Sequence, residues 1–232
     1  MSLVFLSGLT SAGCLEDYKK IIDGLYQEDS IERGSTVCKI WPATGNLIVA
    51  ASIGRAENID LDVQVYDLKS NSVIGRVREL SALNGDAIYS SGILIDTAEY
   101  RLDKTNLAFG IRILWKGSSQ ANPYSSESLR LYTTNGGELL SHLNGLTTYE
   151  YSGEWDTRCA GSFAKRKMTV NVMPLTELYA DLVVKEKVEK IVYHETEGGC
   201  EDIRNEREMK TFILSYVQGR YVIPEELRTL AW

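Results

Sequence analysis

Residues 61 to 77 decide the fold of this chain, and they read Leu61-Asp-Val-Gln-Val-Tyr-Asp-Leu-Lys-Ser-Asn-Ser-Val-Ile-Gly-Arg-Val77. Val63 and Val65 alternate with Asp, Gln and Tyr neighbours, which is the period-2 pattern of a half-buried strand. The polar residues 69–72 then supply turn chemistry before a second apolar run at residues 73–74. The stretch therefore predicts a β-hairpin.

A second copy of this hairpin follows 66 residues later, where Val63-x-Val65-Tyr66 is matched by Leu129-x-Leu131-Tyr132. Beyond the hairpin the offset falls to 60, and Leu83-Asn84-Gly85 recurs as Leu143-Asn144-Gly145. We predict a repeated four-stranded unit of about 60 residues. Its copies are residues 44–100, residues 104–160 and, in degraded form, residues 165–223. Coincidence is the alternative, because unrelated hairpins share the same turn and alternation rules.

The remaining patterns favour a mainly β fold. Lys and Glu alternate with Val and Ile over residues 182–193, which predicts a long strand with one solvated face. An amphipathic helix is predicted over residues 15–27, and a short terminal helix begins at Pro224. A propeller typically needs at least about four blades. We therefore expect residues 14–232 to form a single β-rich domain of antiparallel sheets, either sandwich-like or, as the second choice, irregularly propeller-like.

The charge balance excludes several classes of partner. A net charge of −7 and a pI near 5.0 argue against nucleic-acid binding and against docking on an anionic membrane. No run of 18 apolar residues is present, so no membrane span is predicted. Neither glycine pair, Gly136-Gly137 or Gly198-Gly199, is followed by the Lys-Ser/Thr of a phosphate loop. We expect no cofactor.

The four cysteines fall into two groups, Cys14 with Cys38 and Cys159 with Cys200. This grouping favours the disulfides Cys14–Cys38 and Cys159–Cys200 among three connectivities. No Cys-x-x-Cys spacing occurs, which argues against a redox motif or a zinc site. The alternative is four buried free thiols in a cytosolic protein.

The first 13 residues bear on the compartment. An apolar run over residues 3–9 precedes Ser11-Ala12-Gly13, which resembles the end of an export signal, although a basic region is missing. We expect a periplasmic or secreted protein, with a cytoplasmic one as the alternative.

Candidates for catalysis and metal binding are weak. The two histidines, His142 and His194, lack the surroundings of a catalytic triad, and cysteines in disulfides supply no nucleophile. Acidic residues cluster at 194–202 without the spacing of a calcium loop, so a solvated turn is expected. We assign no catalytic and no metal-binding residues. A carboxylate pair of the glycoside-hydrolase kind depends on distances that the sequence does not give.

The densest unusual segment is Glu154-Trp155-Asp156-Thr157-Arg158-Cys159. Trp155 and Arg158 could anchor a recognition surface, because these residue types dominate binding hot spots. In the structural alternative, Trp155 packs in the core, Asp156 and Thr157 cap a turn, and Cys159 is bridged. Tyr124, in a Ser-rich loop at residues 117–128, is the tyrosine that we expect to be most exposed. Tyr124, Trp155 and Arg158 are therefore the candidate ligand-binding residues.

Four phrases together resemble a class of bacterial exported proteins of unknown activity. They are Cys38-Lys39-Ile40-Trp41-Pro42, Asp96-Thr97-Ala98-x-Tyr100, Ala108-Phe109-Gly110-Ile111-Arg112 and Glu154-Trp155-Asp156-Thr157-Arg158-Cys159. The resemblance implies export and disulfides but no catalytic residues.

The sequence as a whole favours an extracytoplasmic binding or interaction module for a protein, peptide or glycan. A carboxylate-based hydrolase and a structural component of the cell envelope are the alternatives. Convergent acids in a deep cleft would favour the hydrolase, a flat aromatic patch the binding module, and extended edge strands an assembly role.

Overall fold

The computed structural model describes residues 11–27, 33–55, 58–175 and 178–228, and the chain divides into two compact units. The first comprises Met1–Leu83 with Thr134–Leu139, and the second comprises Asn84–Thr133 with Leu140–Trp232. Both are built mainly from β-strands, and two short α-helices precede the first strand, which confirms the predicted mainly β class. In the described ranges no helix has the length and apolar character needed to cross a membrane. Of the signal-like residues 1–13, residues 1–10 lie outside the described ranges, and residues 11–13 begin the first helix.

The first unit is a meander of antiparallel strands. Its elements are α1 (Ser11–Asp17), α2 (Lys19–Leu25), β1 (Arg33–Ile40), β2 (Leu47–Arg55), β3 (Asn58–Asp67) and β4 (Ser72–Glu79). Consecutive strands pair antiparallel from β1 to β4. In addition, Gly75 and Arg76 of β4 pair in parallel with Gly137 and Glu138. The predicted antiparallel sheets therefore include a parallel pairing at this point, which the sequence pattern did not indicate.

The predicted hairpin is confirmed as β3 and β4, but its strand is not half-buried. Val63 and Val65 are fully buried, as predicted. On the opposite face Asp62 and Gln64 are buried as well, so the expectation of a solvated face is wrong. The physical reason is a covering helix, since Tyr26 at the end of α2 donates its hydroxyl to the Asp62 carboxylate at 3.2 Å.

The predicted N-terminal helix is present as two helices separated at Tyr18, whose φ of −109° and ψ of 17° leave the helical range. Cys14 of α1 is bridged to Cys38 of β1, with their Cα atoms 5.9 Å apart, which confirms the first disulfide. Both helices pack against β2 through an apolar cluster that includes Ile22 and Leu47. The disulfide thus fastens the helical layer to the sheet.

The remaining strands follow one another around a second core. They are β5 (Ile88–Arg101), β6 (Leu107–Gly117), β7 (Tyr124–Asn135), β8 (Gly137–Trp155), β9 (Gly161–Val172), β10 (Leu182–Thr196), β11 (Gly199–Leu214), β12 (Tyr216–Val217) and β13 (Arg220–Tyr221). Consecutive strands from β5 to β11 are neighbours, and β12 and β13 form a separate hairpin. The predicted terminal helix is a single 3-10 turn, Glu225–Leu227, which Pro224 precedes as its N-cap.

The predicted repeat is not confirmed by the strand content. Residues 44–100 hold four strands, β2 to β5, whereas residues 104–160 hold three. In the second copy the residues that correspond to β4 and β5 form the single 19-residue strand β8. The four-stranded description of that copy is therefore wrong, and the duplication itself stays a prediction. Since strands β5 to β11 follow one another without a break, neither the sandwich nor the propeller arrangement is confirmed.

Strand β10 has the predicted solvated face. Leu182, Val184 and Val188 are buried, and the intervening Lys185 and Lys187 are exposed. The buried side belongs to an apolar core shared with β6, β7 and β9. We call the opposite side of this sheet the outer face, and it carries the candidate site.

Candidate functional site

Strand register gathers five aromatic side chains on the outer face of β8, β9 and β10. Trp155 pairs with Gly161, which pairs in turn with Tyr193, and Gly153 pairs with Phe163. Along β8, buried residues at 148, 150 and 152 alternate with partly exposed ones. Because alternate residues of a strand share a face, these aromatic side chains lie on one side of the sheet. We call this set the aromatic face: Tyr149, Tyr151, Trp155, Phe163 and Tyr193.

Phe163 lies at the centre of the aromatic face, where its ring fills the space above two glycines. A Cβ atom at Gly153 would lie 2.4 Å from Phe163 Cδ1, and one at Gly161 would lie 2.8 Å from Phe163 Cε2. The Tyr151 ring is nearly parallel to Phe163, with an interplanar angle of 12° and centroids 5.8 Å apart. Tyr193 meets Phe163 edge-on at 74° and 5.8 Å. The two glycines therefore let Phe163 sit close to the sheet between its aromatic neighbours.

Trp155 is an accessible member of this set. Its relative exposure is 37%, so the alternative in which it packs in the core is wrong. Trp155 is the last residue of β8, and it falls on the outward-facing register of that strand. A large aromatic side chain that is held on a strand but open to solvent is a typical anchor for a ligand.

A disulfide fixes the end of the sheet that carries Trp155. The Asp156 carboxylate accepts the backbone N–H groups of Arg158 and Cys159, both at 2.8 Å, and these bonds lower the pKa of Asp156. This confirms Asp156 as the turn-capping residue. Cys159 is bridged to Cys200 with their Cα atoms 5.4 Å apart, which confirms the second disulfide. The turn between β8 and β9 is thereby tied to the start of β11.

A cleft of about 350 Å³ lies beside the same end of β8. The Ser-rich loop supplies one wall, and its Ala121 carbonyl accepts the backbone N–H of Trp155 at 2.7 Å. Tyr124 and Ser152 line the cleft. The Ser152 hydroxyl is buried and has no hydrogen-bond partner among the described residues. Other lining residues are Ser118, Ser119, Asn122, Pro123 and Glu154.

A buried ion network lies behind this cleft. Arg166 is completely buried, and its Nε donates to Glu186 at 2.7 Å while its Nη1 donates to Glu150 at 3.3 Å. Its Nη2 also donates to the Glu226 carbonyl at 2.7 Å. Burial raises the pKa of Tyr124, and the neighbouring Glu150 adds to that shift. These groups satisfy one another, so the network holds the strands together and offers no free acid to a substrate.

The three predicted ligand-binding residues lie near one another without forming one pocket. Trp155 belongs to the aromatic face, Tyr124 lines the cleft, and Arg158 is exposed on the turn between β8 and β9. The Ser-rich loop and the end of β8 do come together, through the Ala121–Trp155 hydrogen bond. Tyr124 is only partly exposed, because it starts β7 beside Glu150. The prediction that it is the most exposed tyrosine is therefore wrong, since Tyr89 is 42% exposed.

Comparison of the chain with protein-family models, with curated proteins and with solved structures gives no match.

Neither histidine has the neighbours of a catalytic triad among the described residues, although His142 lines a second cleft of about 610 Å³. His142 is buried, and burial lowers its pKa. Its Nε2 lies 2.7 Å from the Thr133 hydroxyl and its Nδ1 lies 2.8 Å from the Tyr216 hydroxyl. Tyr216 donates its own proton to the Gly219 carbonyl, so Nδ1 is the donor and Nε2 accepts from Thr133. Thr133 is 2% exposed and cannot reach a substrate. His194 is an exposed residue of β10.

The predicted acidic turn is solvated where it is described. Glu195, Glu197 and Glu201 are exposed around the turn between β10 and β11. In the described ranges no three His, Cys, Asp or Glu side chains converge in a way that could hold a metal ion.

Sequence reasoning missed Tyr151, Phe163 and Ser152. The first two matter because of neighbours on other strands, which the sequence does not reveal. A usable signal was present in the pattern aromatic-x-Gly-x-Trp at residues 151–155, since a strand glycine marks the close approach of another group.

Proposed function

We propose that this protein is an exported, non-catalytic module that binds a glycan through the aromatic face. The observation that carries the proposal is the solvent-accessible cluster around Phe163, where Tyr151 is nearly parallel to that ring and Trp155 lies on the adjoining row. Aromatic ring faces bind the apolar faces of sugar rings, and their low side-chain entropy favours recognition.

The hydrolase alternative has weaker support. A glycosidase needs two carboxyl groups about 5–10 Å apart on either side of the scissile bond. Glu154 is the single carboxylate among the described residues that line the cleft. The nearby Glu150 is buried in its ion pair with Arg166. A shallow aromatic surface beside a cleft with one acid favours binding over hydrolysis.

Export is supported by the two disulfides, Cys14–Cys38 and Cys159–Cys200, because structural disulfides persist in oxidising compartments. The resemblance to bacterial exported proteins points the same way. Titration of free thiols in unfolded, unreduced protein purified from its native host should give none. Four free thiols would contradict the proposal that the protein is exported.

The binding proposal is tested with three forms of the full chain: wild type, Trp155→Ala and Tyr89→Ala. Tyr89 is the matched control, since it is an exposed aromatic residue on β5 outside the aromatic face. Binding to a panel of soluble polysaccharides is measured by affinity electrophoresis. Loss of a hot-spot aromatic residue costs about 2 kcal/mol or more, so Trp155→Ala should weaken binding by roughly 30-fold.

Tyr89→Ala should bind like the wild type. The proposal fails if no polysaccharide retards the wild-type protein, or if both substitutions weaken binding equally. Release of reducing sugar during incubation would instead support the hydrolase.

A second candidate, a structural component of the cell envelope, is favoured by β11. This 16-residue strand pairs with β10 alone in the part of the chain that the structure describes. A long strand with one free edge is a template for pairing with another chain. Sedimentation velocity over a hundredfold range of protein concentration tests this role, and a constant monomer mass would contradict it.

A further inference from the structure

A second feature of the outer face is its positive charge, which overlaps the aromatic face, because Tyr151 pairs with Lys165 and Tyr149 pairs with Lys167. Lys165 pairs with Glu189, and Glu189 pairs with Arg207. On the next row Lys167 pairs with Lys187, and the row after that contains Lys185. The cations of these three rows are Lys165, Lys167, Lys185, Lys187 and Arg207. Glu189 is the one carboxylate among the paired outer-face residues of the same rows, all of which the structure describes.

The single carboxylate cannot neutralise this cluster. Glu189 accepts a hydrogen bond from Lys187 at 2.8 Å and forms an ion pair with Arg207 at 3.3 Å, and the hydrogen bond from Lys187 is the main cause of its lowered pKa. Lys167 and Lys187 stand directly opposite each other on neighbouring strands. Like charges in that position destabilise a sheet. An anionic ligand would relieve this repulsion.

The positive charge is local, because the whole chain carries a net charge of −7. The three rows span about 13 Å along the strands and about 10 Å across β9, β10 and β11. Double-stranded DNA carries one negative charge for about every 1.7 Å of its length, so it would bring a dense charge against the acidic remainder of the surface. A polyuronate carries a single carboxylate on each sugar ring, which is a lower charge density than that of a duplex, and its sugar rings can also contact the aromatic face.

We infer that the outer face of β8 to β11 binds an acidic polysaccharide, a chain of uronic acid residues. Sugar rings lie against Phe163, Tyr151 and Trp155, and carboxylates meet the lysine and arginine side chains of the same face. This inference rests on the proposed glycan-binding function and adds the class of glycan. The aromatic side chains supply ring contact, and the cations select acidic chains over neutral ones.

The test uses the full chain and three probes. They are polygalacturonate, its methyl-esterified neutral form, and single-stranded oligothymidylate. The variant Lys167→Gln/Lys187→Gln removes two facing cations, and Lys69→Gln/Lys104→Gln is a control of equal charge change at exposed lysines outside the outer face. An exposed ion pair is worth about 0.2–1 kcal/mol, and the outer-face variant loses two such pairs with the ligand, so its affinity for polygalacturonate should fall roughly 2- to 30-fold.

Wild-type protein should bind polygalacturonate more tightly than the methyl ester, and the preference should shrink as NaCl is raised from low to high concentration. The control variant should keep wild-type affinity. If the methyl ester binds as tightly as polygalacturonate, the inferred preference for acidic chains is overturned but glycan binding stands. If neither polysaccharide binds, both the inference and the proposed glycan binding are overturned. Preferential binding of oligothymidylate, or equal loss in the control variant, also overturns the inference.

Discussion

Gly153 offers the sharpest test of how the aromatic face is built. In Gly153→Ala the new Cβ atom lies 2.4 Å from Phe163 Cδ1 and 2.8 Å from the Ser162 carbonyl oxygen. Non-bonded carbon atoms normally lie about 3.5–4.0 Å apart, so the ring must move by about 1 Å and the β9 backbone must yield with it. Overpacking of this kind costs about 1–3 kcal/mol. We therefore predict a destabilised protein with a displaced Phe163 ring.

Gly92→Ala is the matched control. Gly92 lies within β5, and the nearest atom to its added Cβ is Leu114 Cδ1 at 3.4 Å, which is an ordinary contact. Alanine at such a position restricts the unfolded chain and should leave stability unchanged or raise it by about 0.4–1 kcal/mol. The free energy of unfolding is measured for both variants by urea titration followed by circular dichroism, with the slopes compared to confirm two-state behaviour.

Polygalacturonate binding is then measured at a temperature below the thermal unfolding transition of Gly153→Ala, and Gly92→Ala is measured under the same conditions. We expect at least a fivefold loss of affinity in Gly153→Ala alone, which corresponds to about 1 kcal/mol. Equal stability of the two variants would refute the packing of Phe163 on Gly153. A destabilised Gly153→Ala that binds normally would show that the ring position has no part in recognition.

Three further predictions concern stability in the second unit. Arg166→Met leaves Glu150 and Glu186 buried without their cation, so the free energy of unfolding in urea should fall by about 3–5 kcal/mol. Replacing both glutamates by Gln in the same variant should recover most of that loss. A fall below about 1 kcal/mol would contradict the ion network. Burial alone would raise the pKa of Asp103, but hydrogen bonds from Asn106 and Thr105 lower it to about 2. Because the folded pKa is depressed, this carboxylate stabilises the fold by about 2 kcal/mol above pH 4 and loses that contribution as the pH falls towards 2. Asp103→Asn should therefore be less stable at pH 7 and match the wild type near pH 2, whereas a pH-independent difference would refute the assignment. Ser152→Ala removes a buried hydroxyl without a described partner, so thermal unfolding should show equal or higher stability, and a loss above about 1 kcal/mol would reveal a partner.

Much of the fold could be predicted from local pattern. Alternation identified the β3–β4 hairpin and the solvated face of β10, because a period of two follows directly from strand geometry. It could not show that Asp62 is buried, since a polar strand face looks the same in sequence whether or not a helix covers it. It also could not show the break at Tyr18, because only the backbone of that one residue leaves the helical range.

The candidate site was predicted in outline only. Trp155 stood out through its residue type, but its exposure depended on which register β8 adopts against β9. The contribution of Phe163 depends on two glycines, Gly153 and Gly161, that lie apart in sequence and become neighbours only in the sheet. The cations on β9 and β10 were visible as alternating lysines, yet the facing of Lys167 and Lys187 follows from strand pairing alone.

The second disulfide gives the aromatic face a fixed geometry. Cys159 and Cys200 are 41 residues apart, and closing a loop of that length removes about 4 kcal/mol of chain entropy from the unfolded state. The bond joins the turn beside Trp155 to the start of β11, which pairs with the strand that carries Tyr193. Trp155 and Tyr193, which pair with Gly161 from opposite sides, are therefore both held near this disulfide. A ligand that has to order a mobile surface binds more weakly, because the ordering costs conformational entropy. An aromatic face that is already fixed therefore favours a ligand that makes weak contacts, such as a glycan.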